Sequence, residues 1–111
     1  MLENNNLCLN FSRGVLTASV SGEIDHHTSK DIRTCIDNAL QEYSPDKLCI
    51  DLSGITFMDS SGLGLIMGRY RIAQSAGIVF SVEGIPSRAM KMFTMAGLER
   101  IIDLKEKKNN G

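Results

Sequence analysis

The chain has 111 residues, with 12 Lys+Arg against 13 Asp+Glu and a formal charge of −1 with both histidines neutral. That length suffices for one core of the usual domain size, which excludes a two-lobed enzyme with a cleft between domains; the mixed charges lack the basic footprint that grips phosphate backbones, so nucleic acid is not an expected partner. No apolar stretch approaches the roughly 20 residues of a membrane-spanning helix, and residues 1–6 show no basic start followed by an apolar run, so a cytoplasmic protein with no membrane partner is expected.

Two short segments near the start alternate apolar and polar residues with the period of a strand that buries one face. In the first, Leu7, Leu9 and Phe11 alternate with Cys8, Asn10 and Ser12; in the second, Leu16, Ala18 and Val20 alternate with Thr17, Ser19 and Ser21. Arg13-Gly14 between them predicts a tight antiparallel hairpin. A helix is expected from Thr28, where Thr28-x-x-Asp31 has the form of a capping box, with Ile32, Ile36, Ala39, Leu40 and Tyr43 on its apolar stripe. Ser44-Pro45-Asp46 ends it.

The third strand carries Leu48, Ile50 and Leu52. A second helix is expected from Asp59 or Ser60, with Leu63, Ile66, Met67 and Tyr70 on one stripe and Gly77 as C-terminal cap. The fourth strand, with Ile78, Phe80 and Val82, leads to a third helix that starts at Pro86, buries Ala89, Met90, Phe93 and Ala96, and stops at Gly97. Ile101-Ile102 is expected as an edge strand or an anchoring turn. The ordered core then covers 7–104 of a single domain spanning 1–111, and residues 105–111 are expected to fray.

Helix-length connections between the later strands imply parallel pairing. The polar second face of each strand puts the helices mainly on one side, as right-handed crossovers between sequential neighbours also require. The fold class is therefore α/β: a mixed sheet of four or five strands, an N-terminal antiparallel hairpin with the remainder parallel. Cys8, Cys35 and Cys49 are an odd number with no C-x-x-C spacing, so they are read as buried or half-buried thiols rather than a disulfide framework or zinc site.

Two segments depart from this rhythm. Phe57-Met58-Asp59-Ser60-Ser61-Gly62-Leu63-Gly64 follows the third strand, at the end of a parallel sheet where functional groups collect. Asp59 and Ser60 both have N-cap chemistry, but one cap needs one residue, and this turn offers three. Glycines at 62, 64 and 68 each cost a helix about 0.5–1 kcal/mol relative to alanine, so something must offset them. Close packing is the expectation for Gly68, and partner access for Gly62.

The second segment, Ser21-Gly22-Glu23-Ile24-Asp25-His26-His27-Thr28, ends beside Asp59-Ser60 if strands two and three are parallel neighbours. Asp25 or Thr28 can cap the first helix, or the segment can form a polar rim beside the serine. Consecutive histidines in an extended segment point opposite ways, which argues against a metal site. The glycine spacing is neither a dinucleotide fingerprint nor a P-loop, and neither serine sits in a G-x-S-x-G elbow. No cofactor, metal or catalytic residue is assigned. A small hydrolase or nucleotide-binding protein is the enzyme alternative.

Together the two segments resemble the STAS domain family, in its branch of stand-alone bacterial anti-sigma factor antagonists. Gly22-Glu23-Ile24-Asp25-His26-His27-Thr28 is similar to that branch's conserved turn, and Phe57-Met58-Asp59-Ser60-Ser61-Gly62-Leu63-Gly64 to its phosphorylation motif. Gly68-Arg69-Tyr70 and Met95-Ala96-Gly97-Leu98 add two further matches. The resemblance implies a switch: the unmodified protein binds an anti-sigma factor that is also a serine kinase, the sigma factor is released, and a PP2C-type phosphatase reverses the kinase. It implies Ser60 as the phosphorylated residue. Glu23, Asp25, His26, His27, Thr28, Asp59, Ser60, Ser61 and Gly62 are the expected partner-binding residues. Sporulation is the pathway favoured by Asp25-His26-His27-Thr28 and Gly68-Arg69-Tyr70, with general stress or another partner-switching pathway as the alternative. One departure is the polar stretch 105–111, where close family members continue into a further amphipathic helix.

Overall fold

Arg13 and Gly14 both take positive φ, 53° and 80°, as a two-residue hairpin turn requires. Strand β1 (Leu7–Ser12) therefore folds back on β2 (Val15–Ile24), with Ser12 opposite Val15 and Leu7 opposite Val20. The computed structural model describes residues 6–108, and the chain continues through α1 (Thr28–Tyr43), β3 (Lys47–Met58), α2 (Ser61–Ala76), β4 (Val79–Ile85) and α3 (Ser87–Met95). A 3-10 turn (Leu98–Arg100) precedes β5 (Asp103–Glu106). The five strands lie in the order β1-β2-β3-β4-β5, with β1 antiparallel to β2 and each later neighbour parallel.

The two-residue period decides which face is covered. Leu16, Ala18, Leu48, Ile50, Leu52 and Val82 are fully buried, whereas among their alternates Thr17, Ser19, Asp51, Ser53 and Glu83 remain half-exposed and Cys49 and Ser81 are buried. Ile32 and Ile36 of α1, Ile66 of α2 and Phe93 of α3 close the same core. The helix ends follow the chemistry of the sequence. The α1 cap, Ser44, is left-handed at φ 45° before Pro45, and the amide of Gly77, at φ 73°, donates to the carbonyls of Ala73 and Gln74.

Four expectations need correction. The strands run further than the alternation shows, because β-bulges between Ser19 and Ser21 and between Gly22 and Glu23 break the period without ending the pairing. Residues 21–24 and 53–58 are thus strand, not turn. The Thr28-x-x-Asp31 capping box does not form, since Asp25 supplies the cap from outside the helix. Frayed chain does not begin at Lys105: Lys105 and Glu106 lie in β5, the Lys107 amide donates to Ile85 O at 2.8 Å, and its Nζ to Ser53 O at 2.9 Å; residues 109–111 fall outside the described part. Cys8 is exposed, because it sits on the helix-free face of an edge strand, while Cys35 is half-buried and Cys49 buried.

A charged contact joins α1 to α2 within the apolar stripe. Arg69 is 5% exposed, and its Nε lies 2.8 Å from Asp37 Oδ1, too oblique for a hydrogen bond, while Nη1 donates to Leu65 O at 3.3 Å. Burial pushes the Asp37 carboxyl above its ordinary range even though the Arg69 charge opposes it.

Candidate functional site

Parallel pairing of β2 and β3 persists to Ile24 opposite Met58, whereas β3 and β4 part after Asp51 opposite Glu83. The two segments singled out by sequence are thereby carried past the sheet edge side by side. The Asp59 amide donates to Ile24 O at 3.1 Å and ties the end of one strand to the other.

In the β3–α2 turn, the Asp59 carboxylate accepts the Ser61 amide at 2.7 Å. The first helical amides then find backbone acceptors, Gly62 at Asp59 O and Leu63 at Ser60 O, at 3.0 and 3.1 Å. Ser60 is the N-cap residue by position, yet its side chain makes no capping bond. The surplus of polar residues is resolved: Asp59 does the capping, and the Ser60 hydroxyl stands exposed with no protein partner among the described residues.

The β2–α1 turn is closed on itself. Asp25 Oδ1 accepts the amides of His27 and Thr28, both at 2.9 Å, while the Asp25 amide donates to Thr28 Oγ1 and that hydroxyl donates to Glu23 O, again both at 2.9 Å. The amide of Thr28 is the main reason that the Asp25 carboxyl is held below its ordinary range. His26 and His27 are exposed, their rings edge-on with centroids 5.9 Å apart. Glu23 is exposed opposite Phe57, itself 52% exposed.

The glycines exchange roles relative to expectation. Gly62 is buried, and a Cβ there would run into the Met58 side chain, so this glycine serves packing. Gly64 and Gly68 face open space, where an added Cβ would meet nothing within 4 Å. They help to line a groove of about 350 Å³ between α1 and α2, together with Lys30, Arg33 and Arg69. Sequence reasoning missed the residues of α1 in this groove. The signal available was Lys30 and Arg33, three residues apart on one side of the predicted helix.

An apolar cleft of about 370 Å³ lies on the other flank of the turn, between residues 55–58 of β3 and the start of α3. No helix among the described residues is long and apolar enough to cross a membrane.

Residues 7–110 match the STAS domain model. The chain belongs to the STAS domain family. An anti-sigma F factor antagonist of Paenibacillus polymyxa is 37% identical over 98 residues, covering 88% of this chain and 84% of that protein. An anti-sigma-B factor antagonist of Bacillus subtilis is 26% identical, covering 86% of each chain. The solved structure of the anti-sigma factor antagonist SpoIIAA in its unphosphorylated form superposes with a TM-score of 0.77 at 26% identity, over 88% of this chain and 86% of that one. The phosphorylated form of SpoIIAA superposes at 0.72, also at 26% identity, over 88% and 89% of the two chains.

Proposed function

We propose that this STAS protein is an anti-sigma factor antagonist controlled by phosphorylation of Ser60. Unmodified, it binds a cytoplasmic anti-sigma factor that is also a serine kinase and so frees the sigma factor; phosphorylated, it lets the anti-sigma factor go. A PP2C-type phosphatase resets it. The protein is a substrate and a binding surface, not an enzyme. The observation that carries the reading is the division of labour in the β3–α2 turn, where Asp59 takes the cap and Ser60 keeps a free, exposed hydroxyl.

The partner-binding rim is assigned to Glu23, Asp25, His26, His27, Thr28, Asp59 and Ser61, on the two strand ends that run side by side, whereas buried Gly62 packs against Met58. A phosphate adds a charge of about −1.5 to −2, taking the formal charge from −1 to about −2.5 to −3, and all of it falls next to Asp59. Such a change blocks docking by charge and bulk without refolding the sheet. Sporulation is the pathway favoured by identities of 37% and 34% to two anti-sigma F factor antagonists, against 25% to 32% for the anti-sigma-B relatives.

Incubation with the anti-sigma kinase of the same genome and ATP, followed by peptide mapping, tests the reading. Phosphate on Ser60 is expected, with Ser60→Ala unmodified; phosphate on Ser61 or none at all would overturn the assignment. Amide spectra should shift only around the two turns, and shifts spread across the sheet would refute the local mechanism.

A further inference from the structure

Two glycines on the outer side of α2 destabilise the helix by roughly 0.5–1 kcal/mol each, and neither gains a close approach within the fold, since the space over Gly64 and Gly68 is open. What that smooth strip does provide is the floor of the α1–α2 groove. The groove begins at His26 and Ser61, the immediate neighbour of Ser60, and follows α2 to Gly68, a length of about 10 Å at 1.5 Å per residue.

Its electrostatics are one-sided. Among the described residues Arg69 is paired with Asp37, and neither Lys30 nor Arg33 has a carboxylate at salt-bridge distance. Arg33 stands close enough to Asp37 to favour its charged form and to Arg69 to disfavour that cation, so two guanidinium groups share one carboxylate. Arg69 lines the groove although it is almost entirely buried, and of its five N–H donors one is hydrogen-bonded, to Leu65 O. Among the described residues, no acidic one lines the groove.

We propose that this groove seats an acidic segment of the partner that docks on the Ser60 turn. Smooth floor, cationic wall and open length suit an extended or helical stretch carrying Asp or Glu. The proposal rests on the reading that a partner binds at Ser60, and it gives the phosphate a second action. A phosphoserine at the groove mouth competes for Lys30 and Arg33 and repels the incoming carboxylates.

Two measurements test this. First, the ¹⁵N-labelled protein is titrated with a capped octaglutamate peptide, with octaserine as control. Shifts confined to amides of the groove, those of Lys30, Arg33, Ser61, Gly64 and Gly68 among them, absent with octaserine and abolished in Lys30→Glu/Arg33→Glu, are expected; shifts away from the groove, or none, overturn it. Second, binding to the purified anti-sigma factor of the same genome is measured. The double charge reversal should weaken it about tenfold or more and remove its salt dependence. Gly68→Leu should weaken it as strongly while raising the thermal midpoint, a combination that damage to the fold cannot produce. Unchanged binding by both variants overturns the proposal. If the wild type fails to bind the anti-sigma factor, the proposed function falls, and the peptide titration alone decides the groove.

Discussion

The two turns at the carboxyl ends of β2 and β3 start from the same materials, an aspartate followed by small polar or charged residues at the mouth of a helix, and reach opposite states. In the β2–α1 turn, Asp25 takes two amides and Thr28 both accepts and donates. In the β3–α2 turn, Asp59 takes one amide and the hydroxyl of the serine after it has no partner among the described residues. The first turn uses its side chains to hold itself; the second has two serine hydroxyls to spare among the described residues, Ser60 exposed and Ser61 half-buried. A hydroxyl committed to capping would have to be withdrawn from the helix before it could react, so a spare one is the condition for modification without loss of fold.

Substitutions can break that contrast. The largest effect is expected from Ser60→Ala, which should abolish phosphorylation while leaving stability within about 0.5 kcal/mol, because the side chain supports nothing. Chemical denaturation beside the kinase assay checks both halves. Next is Gly62→Leu, which forces a side chain into Met58 and should cost about 2–3 kcal/mol in urea unfolding. Gly68→Leu on the same helix should cost nothing, and a like loss at both would show that the open strip is not open. Asp59→Ala removes a cap and should cost about 1 kcal/mol.

The smallest effect concerns acid. The Asp25 carboxyl is held below its unfolded value, so its contribution is present above about pH 4 and fades as pH falls through the lower folded value. Asp25→Asn keeps an oxygen that can accept both amides but does not titrate. It should lose a little stability at neutral pH, where the wild-type carboxylate is charged, and show a flatter acid limb in thermal melts below about pH 4. An unchanged acid limb would remove Asp25 from the account of the closed turn.

Much of this was legible in the sequence, for identifiable reasons. The hairpin, the parallel order and the one-sided helices follow from a period of two interrupted by helix-length segments. Gly77 and Pro86 mark their helix ends within a residue. The lengths of β2 and β3 were hidden by bulges, where backbone pairing continues but the side-chain alternation slips. Strand β5 was hidden too, since its burial is confined to a half-exposed Leu104 between polar neighbours, and the apolar pair Ile101-Ile102 sits just ahead of it. The glycine roles were inverted because the buried stripe of α2 runs through Gly62, Leu65, Ile66, Arg69 and Ala73. A stripe that contains an arginine does not look apolar, and without Asp37 opposite it no hydropathy pattern could place Arg69 inside.

The parting of β3 from β4 after Asp51 leaves the last part of β3 paired to β2 alone. Mechanically it is a cantilever, clamped on two sides at its root and on one side at its tip, with Ser60 just beyond the free end. Local opening at the tip breaks one ladder, not two, so amides of residues 55–58 should exchange with solvent sooner than those of Leu48 and Ile50. A partner can bend that end, or pry it from β2, against far less than the stability of the whole sheet.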